Sequence, residues 1–381
     1  MAEKSDKSAQ KIPLVDLKAQ YAAIGKEIRE AIEEVLASQN FILGPEVKNL
    51  EEKISAYCGT KYGIGVSSGS DALLVALMAL NINSGDEVIT SAYSFFATAE
   101  AIARLGARPV FVDIDPHYLT LDPSGVAAAV TSRTRAIIPV HLFGRCAHMG
   151  AIRSLADEHD LRVIEDAAQA IGARSENKPA GSLGDAGCFS FFPTKILGGA
   201  GDGGMVITGD DGLAEKIRSL RIHGAARKNH HQQIGGNFRL DTLQAAVLNV
   251  KLRYLDSWIT ARRHKAACYA TEFSSHGLGG SPVVPPDATD KNHIFTHYVI
   301  RAQRRDDLKA HLEKNGIGCG VYYPCPLHLQ ECFADLGYKP GNFPHAETAA
   351  EETLALPLFP EMTESQVERV VSSIAAFYDE G

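Results

Sequence analysis

A chain of 381 residues is too long for one ordinary hydrophobic core, and 45% hydrophobic with 22% charged residues predicts a soluble globular protein of more than one domain. The formal net charge of −8 removes any bulk electrostatic pull toward nucleic acid or an anionic membrane. No apolar run approaches the roughly 20 residues that a bilayer span requires, so neither nucleic acid nor membrane is an expected partner. Seven scattered cysteines (Cys58, Cys146, Cys188, Cys268, Cys319, Cys325 and Cys332) contain no C-x-x-C pair. They predict reduced thiols in a cytoplasmic protein rather than a zinc ribbon or a redox pair.

In chain order, the polar segment 1–11 (MAEKSDKSAQK) lacks an apolar signal core and reads as a flexible solvated tail. From Gly63, short apolar runs alternate with helical stretches. GIGVSS precedes DALLVALMAL, DEVITSAYS precedes ATAEAIARLG, and RPVFVDID precedes a helix near Ser124–Val130. RAIIPVHL then precedes AIRSLADEHD, and RVIEDA is followed by CFSFF and GMVIT. These strands are β-branched and apolar on both faces, which predicts a parallel sheet covered by helices on both sides up to about Gly209. DDGLAEKIRSLRIHG reads as an amphipathic helix with an acidic start and a basic end, and residues 239–273 as one long helix or two in succession. After a Pro- and Gly-rich connector (LGGSPVVPPDAT), a strand (HIFTHYVIRA) and the helices RDDLKAHLEKNG and ESQVERVVSSIAAFY suggest a smaller α+β domain.

The stretch SFFPTKILGGAGDGG (190–204) contains Gly199-x-Gly201-x-x-Gly204, the letters of a dinucleotide-binding loop. That loop must open a helix, whereas these glycines run into Met205-Val206-Ile207-Thr208, a predicted strand. A Walker A loop fails too, because Lys195 precedes the glycines instead of following them. The lysine itself is then the candidate reagent. Pyridoxal phosphate requires an amine, an acid facing its ring nitrogen, a phosphate cup and a flat group against the ring. Asp166 ends the strand VIED at the ligand-binding edge expected of a parallel sheet, and Lys195 follows one short strand later. Gln169 is placed for the phenolic oxygen, and Tyr93, just after DEVIT, for stacking on the ring. Ser68-Gly69-Ser70 opens a helix, where backbone donors favour a phosphate, and Ser190 adds a hydroxyl. Each piece has a plainer reading: the Ser-Gly-Ser-Asp run as an N-cap, Asp166 as a turn residue, Phe191 and Phe192 as core, Lys195 as a surface charge.

From Ile12 to about Tyr378 the chain resembles the nucleotide-sugar aminotransferases of the DegT/StrS type, within the aspartate-aminotransferase (fold type I) superfamily. The resemblance is carried by IPLVDLKAQY (12–21), FILGPEVKNLEE (41–52), SSGSDAL (67–73), GDEVITSAYSFFATAEAI (85–102), PVFVDID (109–115), IIPVHLFG (137–144), VIEDAAQAIGA (163–173), SFFPTK (190–195), GDGG (201–204) and NFRLDTLQAAVL (237–248). It implies an α/β fold: a large pyridoxal-phosphate-binding domain over 12–255, its mostly parallel sheet flanked by helices, and a smaller C-terminal α+β domain over 256–381. It further implies Lys195 as the Schiff-base lysine, Asp166 at the pyridinium nitrogen, Gln169 at the phenolic oxygen, Ser68, Gly69, Ser70 and Ser190 at the phosphate, and Tyr93 on the ring. Family members often carry Thr at the position of Ser70 and Trp or Phe at that of Tyr93. A dehydratase branch has His in place of the lysine, so Lys195 argues for transamination.

The segment 221–241 gathers Arg221, His223, Arg227, Lys228, His230, His231 and Arg239. With no carboxylate or cysteine at ligand spacing, the paired histidines predict no metal site, and a basic loop suits the diphosphate of a sugar nucleotide. In similar proteins this loop enters the neighbouring subunit's site, which implies a homodimer with shared sites and Asn237 at the cofactor phosphate. Arg239 is a candidate partner for a sugar carboxylate, and Tyr322 and Tyr323 in GVYYPCPLH (320–328) match a loop that approaches the sugar.

The expected activity is transfer of an amino group from L-glutamate to a nucleotide-linked keto-sugar, with pyridoxamine phosphate as the intermediate cofactor form. The pattern looks closer to enzymes acting at C-3 of UDP- or dTDP-sugars than at C-4. The alternatives are amination at C-4, formation of an aminocyclitol or aminohydroxybenzoate, and a non-catalytic cofactor-binding regulator.

Overall fold

The computed structural model describes residues 11–227 and 229–379; residues 1–10 of the predicted tail and Lys228 of the basic loop lie outside them. Two helices precede the first strand. Helix α1 (Leu17–Ser38) starts where the Asp16 carboxylate accepts the backbone N–H groups of Lys18 and Ala19, and stops at Gln39, whose φ is 58°. Helix α2 (Pro45–Cys58) has a proline in its first turn and ends at Gly59, φ 67°, a left-handed cap that glycine adopts at little cost.

The alternation read from the sequence follows: β1 (Tyr62–Val66), α3 (Gly69–Ala79), β2 (Glu87–Ser91), α4 (Ala97–Arg104), β3 (Arg108–Val112), α5 (Pro123–Ala129), β4 (Thr134–Ile138), α6 (Met149–Glu158) and β5 (Arg162–Asp166). A small hairpin, β6 (Arg174–Ser175) with β7 (Lys178–Pro179), leads to β8 (Ala186–Ser190), β9 (Gly204–Thr208) and α7 (Asp211–Leu220). The seven-stranded sheet runs β1-β9-β8-β5-β4-β2-β3. Strands β3, β2, β4, β5 and β8 pair in parallel, and β9 is antiparallel to both β8 and β1. Successive strand residues serve opposite cores: Phe189, Met205 and Ile207 join Leu50 of α2, while Cys188 and Val206 join Leu73 of α3 and Ile217 of α7. Burial on both faces explains why these strands are apolar throughout rather than alternating.

The hairpin β10 (Ala225–Arg227) with β11 (His230–His231) interrupts the basic loop. The long helical stretch is two helices, α8 (Thr242–Leu252) and α9 (Leu255–Ser275), parted at Arg253–Tyr254. The remaining chain forms β12 (Val283–Val284), β13 (Tyr298–Ala302), α10 (Arg305–Lys314), α11 (Pro344–Glu352), β14 (Thr353–Leu356) and α12 (Glu364–Asp379). Strands β12, β13 and β14 make an antiparallel sheet, packed with α10, α12 and the second half of α9 into a separate core. Two features cut across the sequence-based boundary. Ile12 pairs with Ile317 and belongs to this smaller core, and α9 gives Leu255, Trp258 and Ile259 to the large core but Tyr269 and Phe273 to the small one. All seven cysteines are free thiols, and no helix among the described residues is long and apolar enough to cross a membrane.

Arg262 on α9, 4% exposed, donates to the carbonyls of Phe295, Thr296 and Leu358, and burial lowers its pKa to about 10. It fastens three chain segments at the junction of the two cores. Arg262→Ala would leave those carbonyls unsatisfied, and a loss of about 3 kcal/mol, read as a lower urea midpoint, is expected.

Candidate active site

The carboxyl ends of the parallel strands open into a cavity of about 430 Å³, walled by the start of α3, the loop after β2, the end of β5, the β8–β9 loop and the segment 322–323. Ser68 caps α3 with its Oγ, accepting the Asp71 N–H at 3.0 Å, so the plain N-cap reading is correct as far as it goes. The first-turn amides that no helical carbonyl can satisfy belong to Gly69 and Ser70, and both residues line the cavity together with Ser68 and Ser190. The approach here is tight. A Cβ on Gly69 would sit 2.6 Å from Ser190 Cβ, and one on Gly204 would sit 2.3 Å from the Ser68 carbonyl oxygen. Farther along the loop, Gly199 and Gly201 face the Gln244 side chain, which accepts the Ala200 N–H at 2.8 Å. The glycines that spell a nucleotide loop are there for close packing, and they run directly into β9.

Period two splits the adjacent acids of β5 onto opposite faces. Glu165 turns inward, accepting from the amides of Gly181 (2.7 Å), Leu183 (2.6 Å) and Gly184 (2.6 Å) and lying 2.7 Å from His141 Nε2. His141 Nδ1 accepts the Ala147 N–H, so the Nε2 proton points at Glu165. Asp166 turns to the cavity. Its Oδ2 accepts from Thr98 Oγ1 at 2.7 Å and its Oδ1 from the Ala168 N–H at 3.2 Å. Burial pushes its carboxyl up, with Thr98, the Ala168 amide, Lys195 and His141 opposing.

Lys195 sits in a turn closed by its N–H to the Phe192 carbonyl, at 2.9 Å. Its side chain lines the cavity, and burial lowers the amine to about 8 despite the nearby Asp166 charge. Gln169 has its amide orientation set: Oε1 accepts the Phe143 N–H at 2.8 Å, so Nε2, which donates to Tyr323 Oη at 3.1 Å, keeps a second proton for the cavity. Tyr322 and Tyr323 both line the wall, brought in from the smaller domain.

Tyr93 does not take the place expected for it. It is 1% exposed and lies behind Tyr323, ring centroids 6.2 Å apart; its hydroxyl bonds the Tyr322 carbonyl, the Tyr323 N–H and Thr353 Oγ1. Phe95, two residues on and 55% exposed, lines the cavity where Tyr93 does not. Phe192, expected in the core beside Phe191, also lines the cavity and is half exposed, whereas Phe191 is buried. Arg221 is not a loop cation: it is buried, 2.5 Å from Glu51 and 2.9 Å from the Gly65 carbonyl. Asn237, Arg239, His230 and His231 lie outside the cavity of their own chain. The two histidines stand exposed on the β10–β11 hairpin, Asn237 is exposed, and half-buried Arg239 bridges Val66. Thr98, His141, Asp202 and His297 are site residues that sequence reasoning missed. The His297 ring lies 4.6 Å from that of Tyr322, tilted by 50°, and burial, with Lys195 and Arg262 adding to it, lowers its pKa to about 3.

The arrangement pairs a buried amine with a buried acid beside a helix N-terminus, a site suited to an anionic ligand with a basic ring and an electrophilic carbon. The DegT/DnrJ/EryC1/StrS aminotransferase family matches residues 22–375. A Geobacillus stearothermophilus protein named "Pleiotropic regulatory protein" is 53% identical, covering 96% of this chain and 98% of its own. An Acidithiobacillus ferrooxidans protein, named a UDP-N-acetyl-3-dehydro-alpha-D-glucosamine 3-aminotransferase, is 45% identical over 95% of this chain and 97% of its own. The crystal structure of S. venezuelae DesV in complex with a ketimine intermediate superposes with a TM-score of 0.92 at 42% identity, covering 96% of this chain and 98% of that one. The chain therefore belongs to the DegT/DnrJ/EryC1/StrS aminotransferase family.

Proposed function

We propose that this chain uses pyridoxal phosphate to move an amino group from L-glutamate to the C-3 ketone of a UDP- or dTDP-linked sugar, in the cytoplasm, as a step in amino-sugar synthesis. The observation that carries this reading is the convergence of Lys195, Asp166 and the α3 N-terminus in one cavity. The C-3 preference is supported by the name of the A. ferrooxidans relative.

The residues fit the cofactor. The Gly69 and Ser70 amides, with Ser68 and Ser190, would hold its phosphate; Gln169 Nε2 would donate to the phenolic oxygen; and Phe95, rather than Tyr93, would lie against the ring. When bound, the cofactor supplies an electrophilic carbon for an amine and a ring that withdraws electrons. Asp166 would hold the proton on the ring nitrogen, and that positive charge would in turn favour the ionised carboxylate that burial opposes. The Lys195 amine would hold the cofactor and would carry a proton between the substrate α-carbon and the cofactor C4′. His297, neutral at physiological pH, and Tyr322 border the space left for the sugar. A non-catalytic cofactor-binding regulator would hold the cofactor through the same amine and acid but would not convert glutamate to 2-oxoglutarate.

The reading extends to a homodimer. Leu36, Ile42 and Leu43 are exposed, and Ile42 pairs with Asp241, so this apolar patch adjoins the 223–241 loop where Ile234 is 92% exposed. Pairing two such surfaces would bury the patch and bring Asn237 and the hairpin histidines toward a partner's cavity.

Lys195→Ala is expected to abolish turnover with UDP- and dTDP-3-keto-sugars, and normal steady-state activity in that variant would overturn the assignment. The amine is uncharged, and so nucleophilic, only above its pKa. The rate at which the cofactor-free protein captures pyridoxal phosphate should therefore rise as pH climbs through about 8 and level off above it, followed by absorbance. Phe95→Ala should weaken cofactor affinity about fivefold, while Tyr93→Phe leaves it near that of the parent; equilibrium dialysis distinguishes the two. Asn237→Ala subunits mixed with Lys195→Ala subunits should regain activity that neither has alone, because one site of the mixed dimer is intact. No recovery after subunit exchange would mean each chain completes its own site.

A further inference from the structure

Outside the cofactor cavity, three side chains of different chemistry meet on the surface of the smaller domain. His264 and Cys268 lie four residues apart on α9 and share one face of the helix. Glu364, the first residue of α12, reaches the same spot from far along the chain. His264 Nε2 lies 3.1 Å from Glu364 Oε1 and 3.8 Å from Cys268 Sγ, and the three ligand atoms all fall within 4.8 Å of one another.

A tetrahedral zinc ion, with bonds of about 2.3 Å to sulfur and about 2.0–2.1 Å to nitrogen and oxygen, spaces its ligands about 3.6 Å apart for sulfur–nitrogen and about 3.3 Å for nitrogen–oxygen. The two distances found here differ from those by only about 0.2 Å. Packing does not require the cluster. His264 and Glu364 are exposed, and the contact between α9 and α12 is made by apolar residues such as Tyr269, Phe273, Val370 and Ile374. Partial burial and the Glu364 charge raise the Cys268 thiol pKa, with Lys265 opposing. A divalent cation between thiolate and carboxylate turns that repulsion into shared attraction.

We propose that His264, Cys268 and Glu364 form a zinc-binding site, with water in the fourth position, that fastens the C-terminal helix α12 to α9. The thiol loses its proton to solvent as the metal–sulfur bond forms. Thiolate and imidazole favour zinc and comparable transition ions over the hard cations magnesium and calcium. The site lies apart from the proposed transfer chemistry and does not depend on it. It also departs from the expectation of no metal site, because its ligands come from two helices far apart in sequence.

The test uses cofactor-loaded protein stripped with a chelator, then titrated with zinc against a chromogenic competitor. One zinc per chain is expected, together with a higher thermal midpoint when zinc is present and a thiolate-to-metal absorption band when Co²⁺ replaces it. Cys268→Ser and His264→Gln should each weaken binding at least tenfold and remove the thermal shift. Glu364→Gln, which changes a charge and little else, should weaken it less, and transamination rates report that all three variants are folded. Absence of stoichiometric binding by the parent, or undiminished binding in both Cys268→Ser and His264→Gln, overturns the proposal.

Discussion

Two adjacent carboxylates at the end of β5 set the terms for the rest of the molecule. Both are buried, where an uncompensated negative charge costs several kcal/mol or more. Glu165 is fully met by three backbone amides and the His141 ring. Asp166 is met only in part, by Thr98 and one amide, and its remaining demand faces the cavity. A cation delivered there would satisfy it, as the protonated ring nitrogen of the proposed cofactor would. The Glu165–His141 pair holds the loop behind the strand so that Asp166 keeps its aim.

The same economy explains how the smaller domain serves a site built on the larger one. Tyr93, at the end of β2, is buried to hold the Tyr322–Tyr323 segment and Thr353 of β14, so those tyrosines form a wall of the cavity. Arg262 ties the chain around Phe295 and Thr296 to Leu358, next to His297. The Tyr322–Tyr323 wall of the cavity is thus carried by Tyr93 hydrogen bonds that span more than two hundred residues of sequence.

Much of this was legible in the sequence because it rests on local patterns. Apolar strands with helices between them gave the sheet, and the strand preceding Asp166 and the glycines after Lys195 placed both at its carboxyl edge. What escaped depends on distant partners. Beyond the end of β2 the chain leaves strand geometry, so period two no longer tells which of Tyr93, Phe95 and Phe96 faces the ligand. Arg221 reads as one cation among several until Glu51 is seen beside it. Phe192 resembles Phe191 in every local respect, yet one fills the core and the other the cavity. Strand β14 and helix α11 have weak periodicity, and the His264, Cys268 and Glu364 cluster joins helices that the sequence gives no reason to pair.

If Lys195 and Asp166 work together on a bound cofactor to transfer an amino group, the protein completes half of the reaction with the amino donor alone. The most direct measurement adds L-glutamate alone to the pyridoxal-phosphate form of the protein and follows the visible absorption of the lysine-bound cofactor. The band is expected to bleach, with one 2-oxoglutarate released per site, and a nucleotide-linked 3-keto-sugar is expected to restore it. A band that persists unchanged through glutamate and other amino donors would contradict that joint role of Lys195 and Asp166.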